Sequence, residues 1–478
     1  MRKPERSAGR CLATRFSRSC SAARSFGLVT SALLLGACTL GTPSVDSGID
    51  PPEHWRYAPA SQPSWVDIDG QWWRHFGSRE LDALVAQAEE GSLDLQAAMA
   101  RVRQAQALVR VSGAALLPEL DASLDASREQ RLGGDVDVEG DFFTLGLNAR
   151  YELDFWGRNR ALRDAAQAEW RASRFDLATV RLTLTAAVAS SWMQAVGLRE
   201  RLSIARLNLE NAEQVLATVE SRQRAGAAIP LELAQQRGLV AEQRREVEDL
   251  QSQVNDGDIA LAVLLGLPAQ YLSVQTGSLV GLTWPSIDAG LPAELLTRRP
   301  DLARAEAQLV AANANIVAAR ASLLPSINLG AGVGFASERG AQLLDNSLYS
   351  LTGALVAPIF SGGRLTAQRD LAEARQLELL ADFRRGIVTA FADVESSLNA
   401  IKGLEAQIEA QDERLHRARE AFELAESRYR AGAETLLVLL DAQRTMYVAQ
   451  DQQVRLRQAR LQASVALYKA LGGGWMST

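Results

Sequence analysis

The chain has 478 residues, 47% of them apolar, which is enough for large buried surfaces and for more than one ordinary domain. Its formal charge is -6, and an acidic balance argues against nucleic-acid binding. The three histidines, His54, His75 and His416, are scattered without metal-ligand spacing, and no hydrolase elbow, Walker loop or paired-cysteine site occurs.

The first 37 residues differ from the rest. Arg2, Lys3, Arg6, Arg10, Arg15, Arg18 and Arg24 stand against one acid, Glu5. Removing seven bases and one acid from a chain of charge -6 leaves a remainder near -12. The basic start runs into FGLVTSALLLGA, Phe26 to Ala37, which is too short to span a bilayer and has the pattern of a secretory signal peptide. The run ends in LLGAC and closely resembles a bacterial lipoprotein signal, with Leu35, Gly36 and Ala37 before Cys38. That resemblance implies that residues 1–37 are removed and that Cys38 carries a covalent lipid, with no other cofactor. Taken as residues, the stretch also fits an ordinary export signal followed by a free thiol. Cys11 and Cys20 lie in the removed segment, so no disulfide forms within one mature chain. Thr39 follows the cysteine in place of the aspartate that keeps similar lipoproteins at the inner membrane, which implies the outer membrane of a Gram-negative cell.

Residues 38–71 form an arm in which Trp55 and Trp65, with Trp72 and Trp73 just beyond, are expected to dock against the body. The mature chain is then written twice. ALLPELDASL from Ala115 matches SLLPSINLGA from Ser322, DFWGR from Asp154 matches IFSGGR from Ile359, and SRQRAGA from Ser221 matches SRYRAGA from Ser427. The first repeat spans 72–268 and the second 291–475; between them 269–290 has no helical period and serves as a connector, and 476–478 form a tail.

Within each repeat the period changes from helix to strand and back. No proline lies between Pro118 and Pro230, and none follows Pro358, so long helices are permitted. Ala195, Leu198, Leu202, Ala205, Leu209, Ala212, Leu216 and Val219 make a heptad seam; the second copy keeps it from Ile401 to Ala425 with Gln411 as the one interruption. A helix over 157–225 would be roughly 100 Å long, far beyond what a compact domain uses. The strands alternate. FFTLGLNARYELDFWG places Phe143, Leu145, Leu147, Ala149, Tyr151, Leu153 and Phe155 on one face. LDASLDAS from Leu120, SINLGAGVGFAS from Ser326 and YSLTGALVAPIF from Tyr349 behave alike, and GAGVG lies inside a strand and so is no nucleotide loop. Two polar loops, Arg128 to Asp141 and Glu338 to Asn346, suit the cell exterior. Four strands of membrane-crossing length cannot close a barrel, so the chain must oligomerise if they span; an ordinary sheet beneath a globular domain is the other arrangement.

With the lipobox, the duplicated order and the stretches YRAGAETLLVLLDAQR and LYKALGGGW in hand, the sequence resembles the TolC-like outer-membrane factors, most of all the OprM and NodT lipoprotein branch. The resemblance implies a membrane α+β fold. In a homotrimer, four strands per chain build a 12-stranded β-barrel continued by a long periplasmic α-helical barrel. It places Arg224, Ala225, Gly226 and Ala227, with Arg430, Ala431, Gly432 and Ala433, at the hairpin tips that meet a periplasmic adaptor (membrane fusion) protein. It assigns Leu437 and Asp441 to the periplasmic gate, where three Asp441 carboxylates would attract cations and resist full ionisation together. Val438 and Glu434 stand where some relatives carry aspartate and arginine, so an aspartate-rich, arginine-bridged gate is not implied.

The expected function is a non-enzymatic exit duct of a tripartite efflux system, passing small molecules from an inner-membrane pump, with the proton-driven RND class favoured. A duct for type I protein secretion and a non-channel periplasmic scaffold lipoprotein are the alternatives. The partners expected are two further copies, the adaptor, the pump and outer-membrane lipid.

Overall fold

The computed structural model describes residues 48–58, 70–130 and 139–476. Cys38, the signal segment, Trp65 and most of the first polar loop lie outside these residues. The element order shows the duplication directly. In the first repeat, α1 (Arg79–Gly91) and α2 (Leu93–Ala114) precede β1 (Glu119–Gln130) and β2 (Glu139–Leu153), followed by α3 (Arg158–Arg224) and α4 (Pro230–Leu264). The second repeat gives α5 (Pro292–Arg298), α6 (Pro300–Ala321), β3 (Ser326–Ser337), β4 (Ser347–Val356), α7 (Arg364–Arg430) and α8 (Leu436–Ala470). The long helices α3 and α7 have 67 residues each, and α4 and α8 have 35 each. At 1.5 Å per residue the 67-residue helices are about 100 Å long.

Two compact units are present, and 113–162 with 313–370 belong to the first. It is a four-stranded antiparallel sheet in the order β1-β2-β3-β4, in which β2 of one repeat pairs with β3 of the other. The register aligns the apolar alternations of all four strands: Leu120 faces Ala149, Ala149 faces Ala331 and Ala331 faces Leu351. The neighbouring row is polar, with Asp121, Asn148, Gly332 and Ser350. Each strand therefore sends alternate side chains to one of two unlike faces. β1 and β4 have no second partner strand among the described residues, and β4 is exposed along its whole length. The strand expected to run through Phe360 stops at Val356, because Pro358 has no N–H for a ladder and disfavours regular continuation. β2 likewise stops at Leu153, where Asp154 turns to accept the N–H groups of Asn159 and Arg160 at the start of α3.

The second unit takes in 45–112, 163–312 and 371–478, and its described regular elements are helices. Its main core gathers Trp72, Phe76, Trp192, Leu261, Leu295, Ile387, Leu461 and Tyr468. Trp72 stacks on Tyr468 at 5.2 Å, and Trp55 donates to the carbonyl of Gly290 at 2.9 Å, so these tryptophans do dock the arm. The connector is stitched down by two carboxylates. Glu80 accepts from the backbone of Gln275 and Thr276 and from Trp192 Nε1; Glu200 accepts from Leu279 N and Ser278 Oγ. The tail glycines close the core. At Gly472, with φ of 91°, a Cβ would lie 2.0 Å from the Arg298 carbonyl oxygen, so no other residue fits without moving backbone.

Six of the eight heptad-seam residues, Ala195, Leu198, Leu202, Ala205, Ala212 and Val219, are buried; Leu209 and Leu216 are only half-buried, and their neighbours Asn208 and Val215 face inward instead. Gln411, the interruption in the second copy, is also buried and donates to the carbonyl of Ala449 at 2.7 Å. A backbone acceptor on the facing helix makes an amide as acceptable there as an aliphatic side chain.

Candidate functional site at the hairpin tips

Both long hairpins reverse by the same device. Ala227 N–H donates to Arg222 O at 2.8 Å and Gly226 N–H to Gln223 O at 2.9 Å; Ala433 donates to Arg428 O at 2.9 Å and Gly432 to Tyr429 O at 3.0 Å. These paired bonds are a Schellman closure, which needs a left-handed residue after the helix. Gly226 and Gly432 supply it, with φ of 74° and 75°. Beyond the first turn Pro230 opens α4 and Glu232 accepts from Ile229 N–H at 3.0 Å. Arg224, Ala225, Gly226, Ala227, Arg430, Ala431, Gly432 and Ala433 are all exposed.

The start of α8 has two faces. Leu436, Leu439, Leu440 and Gln443 are buried, the three leucines within a cluster that joins both hairpins through Val215, Val219, Leu239 and Tyr429. One helical turn apart on the other face, Leu437 and Asp441 are exposed, with Val438 beside them; Leu437 is 65% exposed. Glu434 lies 3.7 Å from Arg428 of its own hairpin.

The residues that tie one hairpin to the other escaped the reading of the sequence. Arg222 Nη1 donates to the Tyr429 carbonyl at 2.5 Å, and its guanidinium lies 4.6 Å from the centre of the Tyr429 ring. Burial pushes the Tyr429 hydroxyl above the usual tyrosine pKa, and Glu232 adds to this while Arg222 opposes it. Further along, Tyr447 donates to Asn208 O at 3.0 Å and accepts from Gln443 Nε2 at 3.2 Å, while Arg201 pairs with Asp451 at 2.5 Å. Burial raises the Tyr447 pKa to about 12, so it stays a donor at any physiological pH. A signal was present in the sequence: SRQRAGA and SRYRAGA differ only at Gln223 and Tyr429, and the tyrosine is the residue that receives Arg222.

Among the described residues no group of three or more His, Cys, Asp or Glu side chains is placed to hold a metal ion, and no helix is long and apolar enough to cross a membrane. The family model described as Outer membrane efflux protein matches residues 84–267 and 291–473. The chain is 50% identical over 463 residues to the pyoverdine export outer membrane protein OpmQ of Pseudomonas aeruginosa, covering 95% of this chain and 98% of that one. It is 31% identical to the cation efflux system protein CusC of Escherichia coli over 405 residues, covering 84% and 88%. The solved structure of the outer-membrane channel OprN superposes with a TM-score of 0.85 at 29% identity, covering 92% of this chain and all of that one. The chain therefore belongs to the outer membrane efflux protein family, whose members form trimers and work with inner-membrane pumps, and it is the non-enzymatic outer-membrane channel component of a tripartite efflux system.

Proposed function

We propose that three copies of this chain form a lipid-anchored duct that exports pyoverdine-class cargo, closed at its periplasmic end by the second-repeat hairpin. The observation that carries the gate is the two-faced start of α8. One face is locked into the core shared with the first hairpin, and the other leaves Leu437 and Asp441 without protein cover within the chain. Around a three-fold axis that stripe makes a leucine ring one turn from a carboxylate ring. The first narrows the path with apolar surface, and the second attracts cations. With Val438 beside Leu437, the apolar part of the constriction is broader than an aspartate there would make it.

The open edges of β1 and β4 support the shared barrel. In lipid each unpaired backbone group costs several kcal/mol, and pairing with neighbouring copies removes that cost. The exposed arginines, alanines and glycines at the two tips are the proposed adaptor contacts, the alanines and glycines being small enough for close approach by a partner helix. Energy enters at the pump, and a proton-driven one of the RND class is the favoured partner.

The cargo assignment rests on the likeness to OpmQ over nearly the whole chain. It is tested by expressing this chain in a Pseudomonas aeruginosa strain lacking OpmQ and measuring pyoverdine in the medium. Restored export is expected. A correctly inserted trimer that leaves pyoverdine inside the cell would refute the cargo assignment.

A further inference from the structure

We infer that Arg150 anchors a carboxylate-binding site on the inner wall of the barrel, the one cationic position on an otherwise acidic surface that exported small molecules pass. The inference rests on the shared-barrel reading and deepens it by naming a chemical class of cargo.

The site follows from which residues share a face. β2 is an inner strand, paired with β1 on one side and β3 on the other, so the row through Arg150 needs no other subunit to define it. That row runs Glu119, Arg150, Gly330 and Thr352, and the next runs Asp121, Asn148, Gly332 and Ser350. In a barrel with its apolar face in lipid, these polar rows line the lumen. Among the described strand residues Arg150 is the only base on this face, whereas Glu119, Asp121, Asp125, Glu129 and Glu152 all lie on it. An acidic wall concentrates cations and keeps anions away. A solute bearing a carboxylate meets that barrier along the wall except at Arg150.

The guanidinium is available for such a group. Glu152, two residues along β2, is occupied by Arg158, which donates to it through Nε at 3.2 Å and Nη2 at 2.6 Å. Glu119 is directly opposite on β1, yet it forms no ion pair with Arg150. The side-chain N–H groups of Arg150 therefore have no protein partner among the described residues, and they form the planar fork that matches a carboxylate. Glycine keeps the space beside it open. β3 puts Gly330 and Gly332 on this face, and a Cβ at Gly332 would lie 2.8 Å from Ser350 Oγ and 3.0 Å from Asn148 Oδ1. The hydroxyl and the amide lean over the bare strand where a side chain of β3 would otherwise stand. Arg150, Asn148, Gly330, Gly332, Ser350 and Thr352 border one cavity of about 970 Å³. A carboxylate can take the two-pronged, charge-assisted bond at Arg150. A second polar group of the same solute, about 10 Å away, can reach the hydroxyls of Ser350 and Thr352 two strands off.

The test uses the purified oligomer in planar bilayers, with Asp441→Ala in every sample so that the barrel rather than the tip limits the current, and citrate as the probe. Citrate should reduce the potassium current through the Asp441→Ala protein. Adding Arg150→Gln should raise the half-blocking concentration several-fold and move the reversal potential in a salt gradient toward stronger cation preference. Arg150→Lys keeps the charge without the fork, so it should restore the reversal potential and only part of the block. Block and reversal potential unchanged by Arg150→Gln would overturn the inference and leave the duct intact. Arg150→Cys separates the two readings without any current, because a membrane-impermeant thiol reagent should label it in proteoliposomes. A thiol shielded from that reagent would take this face out of water and overturn the barrel reading together with the site.

Discussion

Arg222 and Tyr429 are 207 residues apart, yet the guanidinium of the first hairpin donates to the backbone and covers the ring of the second. The contact lies where α7 ends and the turn toward Leu437 and Asp441 begins. A charged hydrogen bond with a cation–π contact is worth roughly 1–3 kcal/mol. Arg222→Ala should therefore raise single-channel conductance several-fold while the trimer persists. Unchanged conductance would show that the tie does not restrain the gate.

The two turn glycines give a matched pair of substitutions. A Cβ at Gly226 meets no atom within 4 Å, and at Gly432 the nearest is Arg222 Nη2 at 4.0 Å, so neither alanine clashes. What remains is the left-handed backbone, costing about 1 kcal/mol at each position. Gly226→Ala and Gly432→Ala should lower thermal stability by similar small amounts. Gly432→Trp should in addition weaken cross-linking to the adaptor without loss of the trimer, and undiminished cross-linking would count against the tip assignment.

Glu80 gives the connector a pH dependence. Burial pushes its carboxyl pKa up, but hydrogen bonds from Thr276, Gln275 and Trp192 outweigh this and hold it below the usual value of 4.5. A depressed pKa means that folding favours the carboxylate. Its contribution is then complete above the unfolded pKa and is lost as pH falls through the folded one. Glu80→Gln should destabilise the protein at neutral pH, with the gap from wild type closing as the pH drops below 4.5. A gap that stays constant in thermal unfolding across that range would contradict the assignment.

Lipidation is read from LLGAC alone. Radioactive palmitate should label the wild-type protein and leave Cys38→Ser unlabelled. Label retained by the variant would place the acyl chain elsewhere or leave Cys38 an ordinary thiol.

Much of this architecture was legible because it follows from periodicity. Most of the seam from Ala195 to Val219 repeats every three and four residues and is buried accordingly, with Leu209 and Leu216 half-buried, and Leu145, Leu147 and Ala149 alternate and share one sheet face. The lengths of α3 and α7 follow from the absence of proline. The Gln411 amide looked like a defect because its acceptor, the Ala449 carbonyl, is on another helix and leaves no trace in local pattern. The same holds for Tyr447 with Asn208 and for Arg201 with Asp451. Long-range polar pairs depend on which helix faces meet, and one sequence carries that only where its repeats diverge, as at Gln223 and Tyr429. Leu437 and Asp441 share an exposed face, while their role at the aperture is the proposal.

The most direct test of the gated duct is ion conductance of the purified protein in planar bilayers, wild type beside Asp441→Ala. The account predicts a small, cation-preferring wild-type current, and a larger, less selective current once the carboxylate ring is gone. Correctly inserted oligomers that conduct nothing in either form, or a mutant current indistinguishable from wild type, would contradict a closed end at the second-repeat hairpin.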